Sequence, residues 1–175
     1  MDIETGREPA PTHNATLTER KSERELVVTR RFNGPARLVF EAWTKPELFQ
    51  RWWAPKSLDL SILSCELDVR TGGTYRLVMS HPSLPQPMAF FGRYLDVVPN
   101  VRIVWTNDEG GEGGAVTTVT FEEKARATFV TVCDLYPSKE ALDAAIASGS
   151  TGGWEAQFEQ LDELLPSLGA AAERR

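Results

Sequence analysis

A chain of 175 residues with 41% hydrophobic and 25% charged residues has the makeup of one soluble domain with a proper core. Its net charge of −6, from 25 acidic residues against 19 scattered basic ones, argues against nucleic acid or an anionic membrane surface as partner. No apolar run approaches the ~18 residues of a membrane span. The opening MDIETGREPAPTHNATLTERKSE lacks a signal peptide's apolar stretch, so a cytoplasmic location is expected.

Residues 1–23 read as a flexible polar arm, with Pro9, Pro11 and little to bury; a short strand near Asn14–Thr18 is an option within it. ELVVTRRF (25–32) is rich in β-branched residues and ends at the turn NGP, so it is the first firm strand. GPARLVFEAWT begins a helix: Pro35 suits its first turn, and Leu38, Val39, Ala42 and Trp43 recur at helical spacing. KPELFQRWW, opened by Pro46, is a second short helix. Its surface is aromatic rather than basic, which excludes a DNA-reading helix pair.

From residue 57 the pattern turns to strands. Segments 57–69, 73–80, 88–98, 101–107, 115–123 and 127–136 are separated by short turns or Gly/Pro loops, which predicts an antiparallel meander. With the first strand this makes a curved seven-stranded sheet. Gly72–Gly73 read as a hairpin turn, and Gly152–Gly153 as a bend before the last helix. SKEALDAAIAS (138–148) is helical, with Ser138 as N-cap. A long helix over about 151–165 carries Trp154, Phe158, Leu161, Leu165 and Leu168 on one stripe, which is what covers the sheet. The result is one α+β domain over 24–168, with a disordered tail at 169–175.

Chemical motifs are scarce. Nucleophile-elbow, zincin and phosphate-loop signatures are all missing, and neither glycine pair sits in a strand–GxGxxG–helix context. Cys65 and Cys133 form no CxxC and lie in apolar segments, which predicts reduced structural thiols. His13 and His81 are far apart, and no carboxylate spacing completes a metal site, so neither metal nor cofactor is expected. Asp68 and Arg70 share a strand face and read as an exposed or structural polar pair, with an acid–base pair facing the interior as the alternative. Without a catalytic constellation, an enzyme is the less favoured class.

Several phrases taken together, VTRRFNGPARLVFEAWTKPELFQRWWAP, CELDVRTGGTYRLVM, FFGRYLDVVPNVRIVWT, VTTVTFEE and GGWEAQFEQLDELL, resemble the activator-of-heat-shock-protein-90-ATPase-like family. This is a branch of the SRPBCC, START-like and birch-pollen-allergen-like superfamily. The resemblance covers residues 25–166 and implies a helix-grip fold: a curved sheet wrapped around a long C-terminal helix, with two short helices after the first strand. It also implies that the first strand lies between the strands carrying Cys65 and Cys133. Many such proteins hold apolar or aromatic small molecules between sheet and helix. A few are cyclases, aromatases or hydrolases, and one branch stimulates a chaperone ATPase.

The resemblance makes a cavity the expected site, with a small hydrophobic or aromatic molecule as partner; the alternatives are an activator-like protein docking a chaperone and a cyclase- or hydrolase-like enzyme using the same cavity. Tyr75, Leu77 and Met79 share one strand face, as do Phe91 with Arg93 and Ile103 with Trp105. Trp154 and Phe158 would meet them from the helix. His81, Arg93 and Arg76 are the candidate polar groups. Trp43 is expected in the core. One of Trp52 and Trp53 should anchor the second helix and the other face the cavity mouth; Trp53 is assigned to the mouth, with a surface partner patch as the remaining option.

Overall fold

The computed structural model describes residues 15–109, 111 and 114–173. Strand β2 (Glu25–Phe32) alternates cleanly, burying Leu26, Val28, Arg30 and Phe32. Such a period of two is what a sheet with one covered face requires. Helix α1 (Ala36–Thr44) starts directly after Pro35, and Glu123 Oε1 accepts the Ala36 N–H at 2.8 Å, satisfying a donor left over at the helix start. Helix α2 (Pro46–Phe49) has Pro46 in its first turn but is only one turn long, so Trp52 and Trp53 lie beyond it.

Strands β3 (Ser61–Leu67), β4 (Thr74–Ser80), β5 (Met88–Val98), β6 (Arg102–Thr106), β7 (Val116–Lys124) and β8 (Ala127–Leu135) pair antiparallel in sequence order. Gly72, with φ of +88°, turns the chain between β3 and β4. Strand β2 then adds beside β8. Helix α3 (Lys139–Ala147) is capped by Ser138, whose hydroxyl accepts the Ala141 N–H at 3.1 Å.

Helix α4 (Trp154–Glu173) supplies the core stripe. Phe158, Leu161, Leu164 and Leu165 are buried against the sheet's inner face, and Phe158 meets Phe32 edge-on at 5.3 Å. Arg30 ties β2 to the helix: one guanidinium nitrogen reaches Asp162 Oδ2 and another Thr16 Oγ1, both at 3.1 Å. This is the helix-grip α+β architecture.

Four expectations need correction. The sheet has eight strands, because β1 (Leu17–Arg20) pairs with β2 inside the segment read as a flexible arm. All four β1 side chains are exposed, so hydrophobic patterning gives no sign of it; backbone pairing to β2 holds it, with an ion pair from Arg20 to Asp143 at 2.7 Å. Residues 1–14 of the arm lie outside the described residues, and the short strand read as an option near Asn14–Thr18 overlaps β1 at Leu17 and Thr18. The tail expected from 169 is helical through Glu173, since α4 continues across Pro166. A mid-helix proline costs ~3 kcal/mol, but Leu164 and Leu165 before it and Leu168 after it pack on the core and hold both sides. Residues 174–175 lie outside the description. Finally, the strand order β1-β2-β8-β7-β6-β5-β4-β3 puts β2 outside β8, not between the strands of Cys65 and Cys133. The two thiols are free, with β4 to β7 between them.

Candidate functional site

The five tryptophans of the chain form one cluster. Trp43, on α1, is its hub: its ring centroid is 4.7 Å from Trp52, 6.0 Å from Trp53, 5.9 Å from Trp105 and 6.1 Å from Trp154. The adjacent pair has divided roles. Trp52 is fully buried and donates its Nε1–H to the Ala42 carbonyl at 2.9 Å, tying the turn to α1. Trp53 stacks on Phe49 at 4.6 Å and faces an internal space.

That space measures about 780 Å³ and lies at the N-terminal end of α4. Its walls come from the inner faces of β4 to β8, from α3, and from the stretch after α2. The loop wall is fastened to the helix by two amide side chains. Gln157 donates to the Trp53 carbonyl at 2.7 Å. Gln160 donates to the Trp52 and Ala54 carbonyls at 3.0 and 2.9 Å and accepts the Lys56 N–H at 2.8 Å.

Six of the ten expected site residues line this space: Trp53, Tyr75, Leu77, Met79, Trp105 and Trp154. Phe158 does not. It is fully buried behind the wall, 5.3 Å from Trp154 and 6.3 Å from Trp43. Phe91 and Arg93 share a strand face, as read from the sequence, but it is the outer one. The inner positions of β5 are Phe90, Gly92 and Tyr94. Gly92 sets this phase physically, because a Cβ there would stand 2.0 Å from the Thr106 carbonyl oxygen. Arg93 instead points outward to Asp108 at 3.7 Å, and Arg76 is exposed. His81 is engaged in its own loop, with Nδ1 accepting the Ser83 N–H at 3.0 Å. The Asp68–Arg70 pair is an exposed ion pair at 3.0 Å, outside the cavity.

The polar groups that do line the space were missed. Asn107 donates through Nδ2 to the Ala115 carbonyl at 2.8 Å and to Thr117 Oγ1 at 3.0 Å. With that lone pair occupied, the Thr117 hydroxyl spends its single proton on Asp134 Oδ1, 2.5 Å away. Asp134 thus ends a directed chain of donors as the acceptor. Burial pushes its carboxyl up to about 6 against the opposing Thr117 bond. Tyr136 is pushed up to about 12 by burial and by the Asp134 charge. Burial also raises Glu109, Tyr75 and Tyr94 above their usual ranges. The Tyr75 hydroxyl is tied off, donating to the Thr106 carbonyl at 2.7 Å.

The missed signal was parity. Val130, Val132 and Asp134 alternate on β8, and Thr117, Val119 and Phe121 on β7, so a carboxylate and a hydroxyl fall on otherwise apolar inner faces. Among the described residues, no three His, Cys, Asp or Glu side chains are grouped to hold a metal. No helix there is long and apolar enough to cross a membrane.

The model of the Activator of Hsp90 ATPase homolog 1-like protein family matches residues 33–166. A Rhodobacter sphaeroides crystal structure superposes with a TM-score of 0.79 at 22% identity, covering 87% of this chain and 99% of that one. A Nitrosomonas europaea protein gives 0.76 at 26% identity, covering 86% and 99%. A Staphylococcus epidermidis protein solved by NMR gives 0.73 at 28%, covering 86% and 94%. Comparison with curated proteins gave no significant match.

Proposed function

Since this chain belongs to the Activator of Hsp90 ATPase homolog 1-like family, whose fold implies ligand-binding domains, we propose that it binds a small, largely apolar or aromatic molecule between its sheet and C-terminal helix. The observation that supports this reading is the internal space of about 780 Å³ walled by four indole rings. Small-molecule sites typically occupy ~300–1,000 Å³ and combine apolar walls with a few placed polar groups. Protein interiors otherwise pack to the density of organic crystals, so unfilled space of this size against large rigid rings suits an occupant. Trp53, Tyr75, Leu77, Met79, Trp105 and Trp154 would contact it directly, while Phe158 would brace the wall.

The test is a titration of flat aromatic and long-chain aliphatic compounds followed by tryptophan fluorescence, since four of the five emitters border the space. The reading expects saturable quenching by at least one compound, with one site per chain, and weakened binding in Trp53→Leu. If no compound saturates, the cavity is not the functional site, and a surface for a protein partner such as a chaperone becomes the leading reading.

A further inference from the structure

Among the described residues, every formally charged one lining the cavity is acidic. Asp134 stands on its inner wall and Glu109 at its rim, and none of the described lining residues is Lys, Arg or His. The arginines and the histidine that the sequence suggested as polar contacts all point elsewhere, as described above. A ligand carboxylate or phosphate would therefore meet no basic partner and two like charges.

Asp134 is also held ready. The Asn107–Thr117 chain fixes Oδ1 as an acceptor, and no described group bonds Oδ2. An ionised carboxylate accepts on both oxygens, and a buried one that is satisfied on one side favours a charged donor on the other. The rest of the wall agrees with this. Indole faces carry negative quadrupole density and attract cations within about 6 Å, and four of them line the same space.

We propose that the ligand of this cavity carries a protonated amine on an aromatic or aliphatic body, with the nitrogen at Asp134 Oδ2 and the body against Trp43, Trp53, Trp105 and Trp154. This rests on the cavity being the binding site and adds the charge of the occupant. Glu109 at the rim supplies a second acidic group on the lining.

The experiment uses two matched sets of probes at pH 7.5: a naphthylmethyl and a dodecyl body, each bearing an amine, an alcohol or a carboxylate. Calorimetric titration of the full chain should rank amine above alcohol above carboxylate, with at least a tenfold gap between the extremes. Asp134→Asn should bring the amine-to-alcohol affinity ratio close to one. Glu122→Gln, on the exposed outer face of β7, should keep the ratio, which separates a local contact from the effect of net charge. Carboxylate binding as tight as amine binding, or an unchanged ratio in Asp134→Asn, would overturn the amine assignment and leave the cavity reading standing. If no member of either set saturates, both fall together.

Discussion

The two ends of α4 face the same sheet and do opposite things with it. From Phe158 to Leu165 the helix is packed solid: Phe158, Leu161, Leu164 and Leu165 fill the space against Val28, Phe32, Val119, Val130 and Val132. One turn earlier, at Trp154 and Gln157, the same helix borders open space. The backbone does not change between these ends, but the inward residues of the strands do. Toward the filled end β7 presents Val119 and Phe121 and β8 presents Val130 and Val132; toward the open end the same strands present Thr117 and Asp134. Short polar side chains leave volume that a leucine would have filled, and they place donors and acceptors along it. A site can thus be made by changing a few inward positions at one end of a sheet while the other end keeps the domain folded.

The largest effect expected from this contrast is on stability. Phe158→Ala should cost ~3–5 kcal/mol in denaturant melts, as truncation of a packed buried aromatic does. Phe90→Ala, at the half-buried wall of the cavity, should cost only ~1–2 kcal/mol, because its ring already borders open space. Equal losses would mean the ends are not different in kind. Next comes the amide fastening at the boundary: Gln160→Ala removes three hydrogen bonds to the Trp52–Lys56 stretch. It should cost ~1–3 kcal/mol and increase amide exchange in that stretch, with little change in exchange on β7 and β8.

A smaller effect concerns pH. The folded Asp134 carboxyl titrates near 6, above its ordinary 3.8, so the folded state holds its proton more tightly than the unfolded state. Its contribution therefore favours folding at low pH and is lost as pH rises from about 4 through about 6. Relative to wild type, Asp134→Asn should be more stable at pH 7, on the order of 1 kcal/mol, with the advantage shrinking by pH 4.5. Melting curves at several pH values measure this, and an advantage that grows on acidification would contradict the buried-carboxylate account. The smallest expectation is a null one. Cys65 and Cys133 lie on strands five steps apart, roughly 24 Å along the sheet at ~4.8 Å per step. Both thiols should titrate as free after unfolding without reductant, and a native disulfide between them would break the strand order.

How much of this was legible in the sequence varies with the physics. The meander of β3 to β8 could be read because the strands alternate and the connections between them carry Gly or Pro, except the β7–β8 turn at Ala125–Arg126, which takes positive φ without either. The α4 stripe could be read because Phe158, Leu161 and Leu165 recur at helical spacing. β1 was legible only as an option near Asn14–Thr18, since its four side chains are all exposed and it is held by backbone pairing to β2 and by the Arg20–Asp143 ion pair. In β5 the alternation was visible but its phase was not, because two adjacent phenylalanines fit either face. The phase depends on Gly92 meeting the Thr106 carbonyl, a contact with another strand. Trp52 and Trp53 divide their roles through tertiary contacts to Ala42 and Phe49 in the same way. The acidic lining was open to a reader who followed parity through charged residues as well as apolar ones: Asp134 stands two residues after Val132.

The placement of β2 beside β8 bears on how the chain acquires this structure. Every pairing from β3 to β8 joins neighbours in sequence and can form as a hairpin, but β2 must wait for a strand that begins about 95 residues after it ends. At a synthesis rate of ~5–20 residues per second, the apolar face of Leu26, Val28 and Phe32 stays uncovered for several seconds on a growing chain. The closure of so long a loop sets a slow step that local hairpins do not share. Nascent-chain interactions should therefore concentrate on β2, and refolding in vitro should be most sensitive to concentration before β8 docks.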